Sequence, residues 1–272
     1  MGHSRESMSR RVAIVDPLPV PPIAADAGTS YMASLVLSLC AEAEAFGFEP
    51  VVRLARAGRP PISPFGSTPV DASIYLDRVG LPDAVTLADA LNMPVVTVGC
   101  GRRCGVWVDS REGVRLAFGH LRELGHRRMV HFRGPERLFA ASEREDEFRR
   151  LVARDPETDG RIVATEPDLV RELRRSDRPT ALLAFSDGHA TWALRLAREI
   201  GLKVPDDLSI TGFDDDAFAY HALPRLTTIR NSTDETARAA FRMLVRWLES
   251  GLPPDESGVV PVALIVREST GR

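Results

Sequence analysis

The chain has 272 residues, 44% of them hydrophobic and 27% charged, with a formal net charge of -3. That length allows one large domain or two modest ones, each with its own core. A slightly acidic chain lacks the excess of Lys and Arg that a phosphate backbone attracts, so its direct partner is expected to be small. No apolar run is long enough to span a bilayer. Three cysteines, Cys40, Cys100 and Cys104, cannot complete a disulfide framework, which points to a reducing, cytoplasmic setting. Residues 1–10, with a second Met at Met8, read as a tag or linker remnant.

Along the chain, short apolar runs alternate with amphipathic helical stretches. Arg11 to Val15 reads as a buried strand. Asp16 to Pro22, rich in proline, reads as a loop, because proline removes a ladder donor and fixes φ. Tyr31 to Phe46 carries Met32, Leu35, Val36, Leu39, Ala43 and Phe46 near helical period and ends at Gly47. Phe48 to Leu54 is strand-like, and a second breaker cluster runs from Gly58 to Pro69. Ala72 to Leu76 and Pro94 to Val98 read as strands around a short helix near Asp83 to Leu91. After the strand Val106 to Val108, Asp109 and Glu112 form a capping-box-like start. Val114, Ala117, Phe118, Leu121 and Leu124 then line one helical face, which Gly125 ends.

Met129 to Phe132 opens another strand. Thr180 to Phe185 leads directly into a helix from Asp187 to Ile200, with Asp187 as the expected N-cap, and Leu208 to Phe213 is the strand that follows. Ser232 and Glu235 repeat the capping signal before a long helix to Ser250, and Val259 to Val266 reads as one last strand. Strands separated by helices demand parallel pairing and right-handed crossovers. About ten strands exceed one compact sheet, so the fold class is α/β, in two doubly wound parallel-sheet lobes. Such sheets bind ligands beyond the carboxyl ends of their strands, which directs attention to the residues that follow each strand. No internal repeat is visible.

Five segments, in order, resemble the ligand-binding core of the lac repressor/galactose repressor family of transcription regulators. They are Asp109 to Arg128, Pro179 to Asp187, Val204 to Asp215 (VPDDLSITGFDD), Leu226 to Arg230 (LTTIR) and Val266 to Thr270. The resemblance implies a periplasmic-binding-protein-like fold whose two lobes are joined by three crossover strands and close on a small metabolite such as a sugar or sugar derivative. Chain order assigns residues 11–125 and about 230–258 to the first lobe, and 126–229 and about 259–270 to the second. It also implies a homodimer that acts on operator DNA through a helix-turn-helix headpiece, which nothing before Arg11 matches, and it calls for no cofactor, metal or membrane. An exported solute-binding protein shares the architecture and is the alternative. It would need a signal peptide and a transporter, and the Gly212 to Asp215 and Leu226 to Ile229 signatures favour the regulator.

The effector-binding candidates are Asp214, Arg144, Ser186, Asp109, Tyr31 and Asp16. The resemblance identifies Arg144, in Arg144-Glu145-Asp146-Glu147-Phe148, as an arginine reaching the ligand, although Glu147 stands where the family has glycine. The competing reading is a solvated helix arginine. Asp214 closes the Leu208 to Phe213 strand and can accept two hydroxyls; the competing reading is a helix cap shared with Asp215 and Asp216. Ser186 stands where the family has asparagine, Asp109 already has a capping explanation, and Tyr31 is equally a core aromatic. Asp16 follows the first strand. No enzyme is read here: Ser186, Asp187 and His189 are too close in sequence for a catalytic triad. The stretch Gly99 to Gly105 lacks both further zinc ligands and the third glycine of a dinucleotide fingerprint.

Overall fold

The computed structural model describes residues 10–19, 29–55, 69–78, 80–136 and 138–272. In chain order its elements are β1 (Arg10–Pro19), α1 (Thr29–Ala45), β2 (Phe48–Ala55), β3 (Ala72–Leu76), α2 (Ala84–Leu91), β4 (Val95–Val98), β5 (Gly105–Val108) and α3 (Ser110–Glu123). They continue with β6 (Arg128–Phe132), α4 (Phe139–Arg154), β7 (Asp159–Val163), α5 (Glu166–Leu173), β8 (Ala181–Ala184), α6 (Asp187–Glu199) and β9 (Ser209–Asp214). The last are α7 (Ala217–His221), β10 (Thr227–Arg230), α8 (Thr233–Ser250), β11 (Gly258–Val260) and β12 (Ala263–Ile265).

The strands form two six-stranded sheets, ordered β11-β5-β4-β3-β1-β2 and β12-β10-β9-β8-β6-β7. Both place the second strand outside the first and then step through the third, fourth and fifth. The two sheets therefore share one topology, although no repeat is visible in the sequence. In each, the switch point lies where the order reverses, between β1 and β3 and between β6 and β8.

The chain divides into two compact units. The first is built around the first sheet and includes α1 from Met32 onward, α2 and α8, while the first residues of α1 through Tyr31 belong to the second unit. Val12, Ala13, Ile14, Ile74, Val95 and Val96 are fully buried there, as parallel strands covered on both faces require. Phe46 of the α1 exit stacks on Phe241 of α8 at 5.8 Å, and Ser38 donates to Asp234 at 2.7 Å.

The second unit is built around the second sheet. Its strands alternate side chains between two cores: Val130, Leu182, Ala184 and Ile210 pack with α5, α6 and α7. Met129, Ala181, Leu183 and Phe213 pack on the opposite face with Val114, Phe118 and Leu121 of α3 and Phe148 of α4. This period-two split is the pattern of a strand buried on both sides.

Four features differ from the sequence reading. Strand β1 runs through Asp16 to Pro19 instead of looping out. Its partner β3 stops pairing at Val15, so these residues face only β2, with a register shift between Asp16 and Pro19. A proline is tolerated on such a one-sided, bulged strand end. Chain order assigns α3 to the first lobe, yet α3 packs into the second unit's core. The expected last strand is two strands, β11 in the first sheet and β12 in the second, with Pro261 between them and β12 antiparallel to β10. Finally, β7 and α5 occupy Asp159 to Leu173, a stretch with no predicted element. Most of the breaker cluster from Gly58 to Pro69 and most of the expected linker lie outside the described residues.

Phe148 is 1% exposed and meets Phe118 edge-on at 6.1 Å, which joins α4 to α3. Phe148→Ala should lower unfolding free energy by about 3–5 kcal/mol in urea titration, because the surrounding helices cannot collapse into the void. A change below about 1 kcal/mol would show that this core is loosely packed.

Candidate functional site

The carboxyl ends of β8, β9 and β10 converge with α4 and the start of α1 in the second unit. Arg144 lies on the buried face of α4 that also carries Ala141 and Phe148, and it is 5% exposed. Its guanidinium carbon sits 3.4 Å from the centroid of the Phe213 ring and 4.7 Å from that of Phe185. Nη1 donates to the Phe185 carbonyl oxygen, while Nε finds no partner among the described residues. Burial lowers the guanidinium pKa and the charge of Asp214 opposes that shift. The group remains a cation, lying over two aromatic faces and in the field of the Asp214 carboxylate.

Asp214 ends β9 in a left-handed conformation, φ +112°, followed by Asp215 at φ +56°. Asn231 Nδ2 donates to Asp214 Oδ1 at 3.4 Å, and the Asn231 N–H donates to the Asp214 carbonyl at 3.3 Å. Burial pushes the Asp214 carboxyl up to about 7, Arg144 pulls against that shift, and the neighbouring charge of Asp216 adds to it. The Tyr31 hydroxyl donates to Asn231 Oδ1 at 3.4 Å, and burial followed by the charge of Asp214 raises its pKa. Asn231, 5% exposed, therefore bridges Tyr31 and Asp214 with one amide.

Of the six sequence candidates, Arg144, Asp214 and Tyr31 gather here. Ser186 lies at the end of β8 but is 1% exposed and serves as the N-cap of α6, accepting from the His189 N–H while bonding His189 Nδ1 at 2.8 Å. The cap expected at Asp187 thus sits one residue earlier, because Ser186 has the extended backbone a cap requires. Asp109 caps α3 as expected, accepting from the Glu112 N–H at 2.8 Å. Asp16 belongs to the first unit, where both of its oxygens receive Arg78 Nη2 at 3.0 Å. Asn231 was not among the candidates, although it directly follows the LTTIR segment and the strand-end rule points to it.

A partly accessible carboxylate, a guanidinium, a phenol and an amide offer convergent donors and acceptors beside two aromatic rings. That set suits hydroxyl groups on a compact, partly apolar ligand.

Residues 118–270 match the family model described as periplasmic binding protein-like domain. The ribose operon repressor of Halalkalibacterium halodurans is 30% identical over 169 residues, covering 59% of this chain and 50% of that protein. The chain spans about half the length of the curated relatives it matches. Among solved structures, a transcriptional regulator CelR–cellobiose complex covers 96% of this chain and 85% of that chain, with a TM-score of 0.79 and 24% identity. The lac repressor dimer bound to operator and the anti-inducer ONPF covers 98% and 96%, with a TM-score of 0.83 and 20% identity. At those identities the two structures show the fold.

The raised pKa of Asp214 has a definite sign. Between its unfolded value near 4 and about 7 the folded chain holds the extra proton, so this group makes stability fall as pH rises through that window. Asp214→Asn, which tolerates the left-handed backbone, should therefore stabilise the ligand-free protein at pH 8 by on the order of 1–3 kcal/mol and leave it nearly unchanged at pH 4. Denaturant titrations at the two pH values check this; equal effects at both would contradict it.

Proposed function

The chain belongs to the periplasmic binding protein-like domain family, in the form carried by lac repressor/galactose repressor regulators, and we propose that it is the effector-binding and dimerising core of a bacterial transcription regulator. Its effector is a sugar or sugar derivative, and effector binding sets the hold of the whole regulator on operator DNA. The carrying observation is the buried Arg144 guanidinium, 3.4 Å from the Phe213 ring centroid and 4.7 Å from that of Phe185, with one N–H unpartnered among the described residues and the charge of the Asp214 carboxylate acting on it. Asp214 receives ligand hydroxyls, Arg144 donates to a ring or hydroxyl oxygen, and Asn231 and Tyr31 orient both.

Regulation requires more than tight binding. The effector has to bind one conformation of the core better than another, since equal affinity for both shifts nothing. The core is a binding module rather than an enzyme, in keeping with relatives that are regulators. It works in the cytoplasm, where operator DNA is. Net charge -3 leaves the DNA contact to another part of the regulator. A palindromic operator is met by a protein on a two-fold axis, which makes the core a homodimer.

Calorimetry against D-ribose, L-arabinose, maltose and cellobiose should find a binder, and Arg144→Ala and Asp214→Ala should each weaken it by about tenfold or more. Unchanged affinity in both variants would place the effector elsewhere. Light scattering at tens of micromolar protein should report a dimer, and a monomer alone would contradict the dimeric core.

A further inference from the structure

Asp187 is fully buried, and with the cap of α6 at Ser186 its carboxylate serves neither the N-cap role expected for it nor the ligand cluster. Its Oδ1 accepts from Thr228 Oγ1 of β10 at 2.5 Å, and its Oδ2 accepts from the backbone N–H of Asp216 at 2.9 Å. It is therefore tied to the strand beside β9 and to the turn that leaves β9. The fit leaves no slack: a Cβ on Gly212 would lie 2.1 Å from Asp187 Oδ1, so residue 212 has to be glycine for the carboxylate to sit there. Burial raises the Asp187 pKa well above the usual carboxylate range, and the charge of Asp214 adds to that shift.

The turn being tied is an unusual one. Asp214 and Asp215 are consecutive non-glycine residues at φ +112° and +56°, conformations that persist only when the surroundings over-determine them. Asp215 is held from the other side, by Arg230 Nε at 2.8 Å and by the Arg267 guanidinium. Asn231 ties the start of the turn, donating from its backbone N–H to the Asp214 carbonyl at 3.3 Å. Asp187 is the anchor on the Asp216 N–H, and removing it frees the far end of the turn to relax toward ordinary backbone angles, which shifts the Asp214 carboxylate relative to Arg144.

We propose that Asp187 is the positioning residue of the effector site, fixing the 214–216 turn so that Asp214 faces the ligand while Asp187 itself never touches it. This rests on the reading of Asp214 as an effector ligand. It also assigns a joint reason to Gly212, Asp187 and Thr228: the glycine admits the carboxylate, and the threonine fills one of its two oxygens.

The test needs one ligand-free arm and one ligand arm. Asp187→Asn keeps the volume beside Gly212 but cannot accept from Thr228 and the Asp216 N–H on two oxygens. In amide hydrogen exchange the Asp216 N–H should exchange about fivefold faster or more, while Leu182 and Ile210 in the sheet keep their rates. An unchanged Asp216 rate overturns the proposal, and so does an equal acceleration of all three, which marks a merely structural residue. If Asp187→Asn does not fold, Thr228→Val, which removes only one donor, is read by the same criteria.

In calorimetry with cellobiose or D-ribose, Asp187→Asn should weaken binding about fivefold, and adding it to Asp214→Ala should change nothing further. Additive losses overturn the positioning role. If Asp214→Ala alone leaves affinity unchanged, or if neither sugar binds, the effector assignment fails, and the exchange result decides the turn anchor on its own.

Discussion

A guanidinium that is 5% exposed has lost most of its water, and the second unit is organised around replacing it. Arg144 receives a phenyl face at 3.4 Å, a second at 4.7 Å, a carbonyl and the field of Asp214. That compensation propagates outward. The Phe213 ring occupies the space where any side chain on residue 113 would begin, since a Cβ there lies 2.4 Å from Phe213 Cε2. A glycine in the first turn of α3 gives up helix propensity, at most about 1 kcal/mol, and here it makes room for the Phe213 ring. The recognisable features of the Asp109 to Gly125 helix and of the Thr211 to Asp215 segment are thus two sides of one packing requirement.

The same charge leaves the carboxylates around it unevenly satisfied. Asp187, Asp214 and Asp216 all have raised pKa values, with burial the first cause in each, and one guanidinium does not neutralise three acids. Asp187 resolves this by accepting two hydrogen bonds in a sealed position. Asp214 has only a long contact to Asn231. Asp216 Oδ2 is buried without a partner among the described residues, so neither acid is fully satisfied, and on the proposed reading hydroxyls donated by a ligand are what Asp214 lacks. The ionised form accepts those hydroxyls best, so binding and proton release at Asp214 are linked.

Much of the architecture is legible in the sequence because each element is punctuated. Asp83, Asp109 and Ser186 cap helices, and Gly47, Gly125, Gly201 and Gly251 end them in left-handed conformations. Applying the strand-end rule to Phe213 and Phe185 led to Asp214 and Ser186. What escapes has identifiable causes. Asn231 lies one residue beyond a strand that does not advertise where it stops. Val259 to Val266 is one apolar run by pattern, and only pairing shows that Pro261 separates two strands serving different sheets. Asp16 reads as the residue following the first strand, but the strand runs on to Pro19 and the carboxylate is taken by Arg78, sixty-two residues away, which no local pattern signals. Ser186 turns inward because its backbone is that of a cap, a matter of dihedral angles and not of residue type.

The most direct test of the account watches the Nε–H of Arg144, unpartnered among the described residues, by proton–nitrogen NMR, with the side-chain resonance assigned through Arg144→Lys. On titration with a sugar that binds, that resonance should shift and its exchange with water should slow, together with the amide signal of Asn231. A sugar that binds while both signals stay in place would contradict the central claim, that this buried arginine and the Asp214 carboxylate whose charge it feels are the grip on the effector.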